Sequence, residues 1–307
     1  MKNLIYKIQY GIFRMFRGFL LMLPEKARFS AGEKVAVLGY HLIKSRRITT
    51  LANLSHAFPE KSEKEIKKIA VNSYKTMGKA FLGTIWLEEY MKNDDNFHIH
   101  GMEIVERHCS KGPVVFATMH FGNMESMLKF SEKFPFVTVA KKQRNPYLNR
   151  YISENRKHLN ITLLEKSKKT SRELFEYAEK GKNIALFSDH RDKGTTVDFF
   201  GMETVSPTGA ATLALRYNRP LILGYCTFNR DNTTSVHFKK IDVVNDEKNS
   251  FKENVHLTTQ KLIYMMEDII TCYPEQWMWL HDRWKLYKVV TGKNNKKKKD
   301  SKFDFLK

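Results

Sequence analysis

Apolar residues recur along this chain in two rhythms. Between Val35 and Leu87 they return every three or four positions, and Ile66, Ile69, Ala70, Tyr74 and Met77 mark one face of a helix. Its start is legible. Phe58-Pro59 breaks the chain, and Ser62-Glu-Lys-Glu65 is a capping box, in which Ser62 and Glu65 satisfy each other's free backbone N–H groups. From Phe97 onward the rhythm changes. The short apolar runs Val114–Thr118, Phe136–Ala140, Ile161–Leu164, Ile184–Ser188, Leu221–Phe228 and Ser235–Phe238 predict strands. Helical stretches alternate with them at Met124–Phe134, Pro146–His158, Ser171–Lys180 and Pro207–Tyr217, and Phe251–Tyr273 predicts a long final helix. Such alternation predicts an α/β fold, a largely parallel central sheet flanked by helices.

The segment Leu4–Leu23 is apolar but carries Lys7, Arg14 and Arg17. On a helix, Lys7, Gly11, Arg14 and Gly18 share one narrow face, with Arg17 flanking it. Ile5, Ile8, Ile12, Phe13, Phe16 and Phe19 cover the rest. Three charges disfavour a transmembrane span, and no small-residue cleavage site follows. The pattern predicts an amphipathic helix in a membrane interface, cations toward headgroups. A helix packed on the protein's own core, or a tilted single span, are the alternatives. The organisation expected is therefore a membrane-interface helix over 1–24, a helical region over 25–95, an α/β domain over 96–290 and a disordered basic tail over 291–307.

Charge sharpens this picture. Against 33 Asp+Glu stand 53 Lys+Arg, a net +20 over 307 residues. Residues 1–50 hold 10 basic and 2 acidic residues, and residues 285–307 hold 9 Lys and 2 Asp, so most of the excess lies at the two ends. Basic ends on a nearly balanced middle point to docking on an anionic surface rather than to a charged active site. Nucleic acid is disfavoured, because no groove-like interleaving of basic and aromatic residues appears. Cys109, Cys226 and Cys272 are odd in number and widely spaced, which suits a reducing compartment. No zinc-ligand spacing or nucleotide-binding loop is present, so no metal or cofactor is expected.

The candidate chemistry centres on Phe116-Ala-Thr-Met-His-Phe-Gly-Asn-Met-Glu125. A buried strand ends in His120, Gly122 permits a tight turn, and Glu125 opens the next helix. Imidazole at a strand end is a proton acceptor near neutral pH, and a nearby carboxylate can orient it. Asp189 ends another apolar strand, the same address as His120. Ser206-Pro-Thr-Gly209 reads as a helix start with Ser206 as cap and Pro207 in the first position, its free N–H groups open to an anion.

The His-x4-Glu spacing resembles the signature of the lysophospholipid acyltransferase superfamily. Further blocks are similar, in order, to its bacterial branch, the lipid A biosynthesis late acyltransferases (lauroyl/myristoyl transferases). They are Asn53-Leu-Ser-His-Ala-Phe-Pro59, Arg144-Asn-Pro-Tyr-Leu148 with Arg156, Phe187-Ser-Asp189, Lys193-Gly-Thr-Thr-Val-Asp-Phe-Phe-Gly201, Ser206-Pro-Thr-Gly209 and Pro274–Lys285. The resemblance spans roughly Arg46 to Lys285. It implies a glycerol-3-phosphate acyltransferase-like fold and a catalytic pair in which His120 takes the proton of an acceptor hydroxyl while Glu125 holds the imidazole. It implies substrate contacts at Lys141, Arg144, Asn145, Arg156, Asp189, Gly194, Phe200, Gly201, Thr208 and Gly209. Two positions depart from the family pattern. Lys141 stands where an Arg is usual, and His190 follows Asp189 where a Gln is usual. Thr196, Val197, Phe199 and Phe200 would wall an acyl chain; a plain β-hairpin is the alternative. Trp277, Trp279, Trp284, His281 and Arg283 read as an aromatic closure of the core, with a ligand platform as the alternative.

The resemblance implies transfer of a fatty acyl chain from acyl carrier protein, or acyl-CoA, to a hydroxyl of a membrane lipid. A lipid A precursor is the first expectation, and a lysophospholipid or other glycolipid the alternative. The expected place is the cytoplasmic face of a bacterial inner membrane, held by an amphipathic or single-span N-terminal helix. The contrasting class, from charge alone, is a non-catalytic basic membrane-binding module.

Overall fold

The computed structural model describes residues 2–292. The expected tail therefore falls mostly outside the described residues. Helices α1 (Lys2–Met22), α2 (Glu25–Leu42), α3 (Lys44–Ala57), α4 (Glu63–Gly83) and the short α5 (Leu87–Met91) come first. The capping box forms as expected, with Ser62 and Glu65 bonded reciprocally at the start of α4. Strand β1 (Phe97–His100) and helix α6 (Met102–Cys109) follow, neither marked by a clear apolar rhythm. Then come β2 (Val115–Thr118), β3 (Phe136–Ala140), α7 (Pro146–His158), β4 (Ile161–Glu165), α8 (Thr170–Glu179) and β5 (Asn183–Phe187). A hairpin, β6 (Thr195–Phe199) and β7 (Met202–Ser206), precedes α9 (Gly209–Arg216), β8 (Leu221–Phe228), β9 (Thr234–Ile241), α10 (Phe251–Cys272) and α11 (Leu286–Val290).

Seven strands form one sheet in the order β1-β9-β8-β2-β5-β3-β4. Every pairing is parallel except β8 with β9. The uniformly apolar run of β8 is explained by its place: all eight of its residues are buried, as in a strand covered on both faces. The segment Met124–Ser131, expected as an α-helix to Phe134, is instead a 3-10 helix. Glu125 is the second residue of this segment, three beyond the turn at Gly122. That turn needs glycine: φ is +50°, and a Cβ there would lie 2.2 Å from the Cys226 carbonyl oxygen.

Helix α1 uses both of the faces that its sequence offered. Tyr6, Tyr10, Phe13, Arg17 and Leu20 turn inward, at helical spacing. Tyr10 and Phe13 pack on Tyr147 and Tyr151 of α7. Arg17 does not face outward with Lys7 and Arg14; its guanidinium pairs with Glu89 at 2.6 Å and donates to the Ile85 carbonyl. A carboxylate on α5 within reach outweighs solvent for that one cation. The opposite face leaves Leu4, Ile5, Ile8, Ile12, Phe16 and Phe19 exposed. No helix among the described residues is long and apolar enough to cross a membrane.

Candidate active site

Parallel pairing, not local spacing, assembles the site. Thr118 of β2 is in register with Phe187 of β5. Two residues beyond each lie His120 and Asp189, which the register therefore sets side by side at the C-terminal edge of the sheet, the usual location of sites in such folds. His120 Nδ1 lies 2.9 Å from Asp189 Oδ1, and the His120 backbone N–H donates to Asp189 Oδ2 at 2.8 Å. Trp277 Nε1 donates to the same Oδ2 at 2.9 Å. The expectation that Glu125 holds the imidazole is thus corrected: Asp189 does so. Glu125 instead accepts a short hydrogen bond from Arg156, its chain having turned away at Gly122.

The strand end carrying His120 is strapped from the far end of the chain. Met278 N–H donates to the His120 carbonyl at 3.1 Å, and Gly122 N–H to the Gln276 carbonyl at 2.8 Å. Asn53 of α3 donates to the Trp279 and His281 carbonyls, and Ser73 of α4 to that of Trp277. Two blocks read separately in the sequence, around Asn53 and Trp277, therefore act as one brace behind His120. The aromatic-closure reading of Trp277, Trp279 and Trp284 holds, with one addition, since Trp277 also orients Asp189. Arg283 is wholly buried, donates to Val205 and Ser206, and burial drops its pKa to about 10. It clamps β7 and is no ligand platform.

Burial alone would lower the pKa of His120, but the charge and hydrogen bond of Asp189, helped by the charge of Glu125, outweigh it and raise the pKa above its ordinary value. Burial would likewise raise that of Asp189. The charge of His120 and the hydrogen bonds from His120 and Trp277 prevail and hold Asp189 ionised far below the usual carboxylate range. An ionised Asp189 fixes the proton of neutral His120 on Nδ1, leaving the Nε2 lone pair as the available base.

Strand pleating sends alternate side chains to opposite faces, and each face carries a cavity. Phe116, Thr118, Thr138 and Ala185 look into an apolar chamber of ≈ 470 Å³, whose other walls include Phe13, Met127, Phe130, Phe134, Tyr151 and Phe238. Glu125 and Arg156 sit in its wall. Leu186, Ser188 and Lys141 look into a more polar cleft of ≈ 680 Å³, which contains His120. Val139, Ala140 and Phe187 border both. The His120 ring stacks on Phe187 at 4.2 Å, so the imidazole stands beside the partition between them.

The other expected contacts divide. Lys141, Thr208 and Gly209 line the cleft with His120, and Arg156 lines the chamber. Arg144 is exposed and lines neither. Asn145 caps α7 through its Oδ1, while its Nδ2 donates to the Tyr6 carbonyl and Gln9 of α1. Its polar atoms are thus spent on holding α1 against α7, over the chamber. Gly194 lets β6 approach β7: a Cβ there would lie 1.9 Å from the Ser206 carbonyl oxygen. Phe200 and Gly201, both at positive φ, form the hairpin turn. Phe200 packs on Phe58, Trp279 and Trp284, and Val197 and Phe199 are buried in the main core, so the expected acyl wall lies elsewhere. Ser206 ends β7 and accepts from Arg283; α9 begins at Gly209 with Thr208 as cap residue, because Ser206 is committed to the hairpin. Phe13, Tyr151 and Lys166 carry no local mark of a site in the sequence: the packing of α1 on α7 brings the first two to the chamber, and Lys166 reaches the cleft from the end of β4.

Residues 3–286 match the family model described as bacterial lipid A biosynthesis acyltransferase. The lipid A biosynthesis lauroyltransferase of Escherichia coli (strain K12) is 22% identical over 274 residues, which cover 87% of this chain and 88% of that protein. The phosphatidylinositol mannoside acyltransferase of Mycolicibacterium smegmatis is 28% identical over 178 residues, 55% of this chain and 56% of that protein.

Proposed function

The chain belongs to the bacterial lipid A biosynthesis acyltransferase family and is an acyltransferase, and we propose that it moves a fatty acyl chain from a carrier thioester to a sugar hydroxyl of a lipid A precursor. The observation that supports this most is the placement of His120 between an apolar chamber and a polar cleft. An acyl chain fits the first and a lipid headgroup the second, and the two substrates then meet at the base. His120 Nε2 takes the proton of the acceptor hydroxyl, and its oxygen attacks the thioester carbonyl. The C–S bond then breaks, and the leaving thiolate takes the proton back from the imidazolium. The donor is acyl carrier protein, an acidic protein suited to this basic surface, or acyl-CoA. The relative named for a phosphatidylinositol mannoside supports a second reading, another glycolipid acceptor. Lipid mass spectrometry of membranes from cells with and without the gene decides between them. Loss of one acyl chain from lipid A supports the first reading, loss from another glycolipid the second, and an unchanged lipid profile counts against both.

The acceptor resides in a bilayer, so the site works at its surface, on the cytoplasmic face of the inner membrane. The outward face of α1 supplies the anchor, its apolar side chains among acyl chains and Lys7 and Arg14 at headgroups. Ile8, Ile12 and Phe16 are about half exposed, so covering what remains contributes about 1 kcal/mol each. Changing all three to Glu is expected to move most of the protein from the membrane to the soluble fraction, with the inward face untouched. Undiminished sedimentation with membranes would place the anchor elsewhere.

A further inference from the structure

We infer that the exposed corner where α2 meets α3 is the docking surface for an acidic carrier protein that bears the acyl thioester; the inference rests on the acyl-transfer reading of His120. The corner joins an apolar centre to a basic rim. On α2, Val35, Leu38 and Leu42 recur at helical spacing and point outward, Leu42 being 72% exposed, and Ile43 continues the stripe. The fold does not use this face, because α2 turns Phe29, Gly32 and Tyr40 inward, with Tyr40 edge-on to Tyr74 of α4 at 5.1 Å. Lys34, Lys44 and Arg46 flank the stripe and are exposed too. Between Glu33 and Glu60 the chain has no acidic residue, and Glu33 itself lies 3.8 Å from the Lys79 ammonium.

The corner is held in place, and it abuts the active site. Arg47 donates to the His41 carbonyl at 2.9 Å and so closes the end of α2. Arg46 donates to the Leu280 carbonyl at 3.2 Å. The next residue, His281, lines the cleft with His120, and its own carbonyl accepts from Asn53 at 2.8 Å. Arg46 and Asn53 both belong to α3, so one helix joins the corner to the cleft wall. An apolar centre with a rim of one charge suits a transient protein interface: the apolar contacts give affinity, and the charges steer and select a partner of opposite sign. A stripe at this spacing fits the side of a partner helix. A carrier protein brings its thioester on a long arm, so a body seated on the corner leaves the arm to reach the base. The bilayer has its own surface in α1, whose exposed stripe runs from Leu4 to Met22.

The full-length Lys34→Glu/Leu42→Ser/Lys44→Glu variant tests this. All three side chains are exposed, so its unfolding temperature should match the wild type. Transfer to a lipid A precursor is measured in detergent with dodecanoyl-acyl carrier protein and with dodecanoyl-phosphopantetheine, the same arm without the protein. The KM for the carrier-protein donor should rise about tenfold or more, with kcat kept, while the KM for the free arm stays unchanged. Added salt should raise the carrier-protein KM of the wild type more than that of the variant. Lys34→Arg/Lys44→Arg should behave as wild type. Equal carrier-protein KM values for the triple variant and the wild type overturn the inference. Loss of sedimentation with phosphatidylethanolamine/phosphatidylglycerol vesicles in that variant, with the carrier-protein KM kept, overturns it in favour of the bilayer. If the wild type transfers the chain from neither donor, the functional reading fails. Binding of fluorescently labelled acyl carrier protein then decides the docking surface by itself: weaker binding by the triple variant supports it, and equal binding or none by either protein overturns it.

Discussion

Asp189→Asn is expected to slow acyl transfer by about 10³-fold or more, although Asp189 is buried with both carboxylate oxygens bonded within the protein. The change is nearly isosteric, so the brace from Trp277 and the His120 backbone survives. It removes the charge that holds the imidazole proton on Nδ1 and that stabilises the imidazolium formed during attack. His120→Ala removes the base itself and should reduce transfer to background. The double variant should be little worse than His120→Ala alone, since the two residues act as a unit. The pH dependence carries an independent signature. A base works when neutral, so kcat/KM should fall as pH drops through the pKa of His120, which lies above the ordinary 6.5. Without the Asp189 charge, burial prevails and lowers that pKa, so the residual activity should show its acid limb at lower pH. A limb that stays in place would mean that Asp189 does not set the protonation of His120. Stability has its own window. Asp189 is depressed, so its contribution is present above the usual 3.8 and lost as pH falls far below it. His120 is raised, so its contribution is present below 6.5 and lost as pH rises through its folded value. The pair therefore supports the fold most between those values.

The difference between the sequence reading and the site is instructive about range. Period and caps are local, and β3, β8, α7 and the capping box at Ser62 followed from them almost residue by residue. His120 too was legible, as a polar side chain ending an apolar strand. Its partner was not, because spacing favours a carboxylate five residues on over one 69 residues away. Yet Asp189 carried the same local mark as His120, and only the β2–β5 register adds that the two are neighbours. The acyl wall was misplaced for a related reason. Phe199 and Phe200 are apolar in any window, and whether they face a chamber or the Trp277–Trp284 cluster depends on the sheet face against which the hairpin docks. Glycines were ambiguous in the same way, since Gly194 marks close backbone approach, which the sequence alone does not distinguish from approach to a ligand.

Arg156→Lys is expected to lower kcat by about 10²–10³-fold with acceptor and donor KM little changed, which assigns Arg156 to the transition state rather than to binding. The argument starts from the pairing with Glu125. Only one nitrogen of the guanidinium is held there, and Arg156 and Glu125 sit in the wall of the chamber, which also includes Phe187, the ring on which His120 stacks. When the acceptor oxygen attacks, negative charge grows on the thioester oxygen. The free N–H groups of Arg156 can receive it, their plane fixed in advance by Glu125. Lysine keeps the charge but lacks the planar fork, so it cannot be held by Glu125 and serve the oxyanion together. Glu125→Gln keeps a hydrogen-bond acceptor and should lose less, about tenfold, whereas Glu125→Ala frees the guanidinium to turn and should approach the Arg156→Lys loss. Thermal unfolding of each variant separates this from damage to the fold. The ion pair is mostly shielded from solvent, with side chains 17% and 24% exposed, so its loss costs stability as well. Full activity in folded Arg156→Lys would leave the oxyanion without an assigned donor and reduce the Glu125–Arg156 pair to a strut between the 3-10 helix and α7.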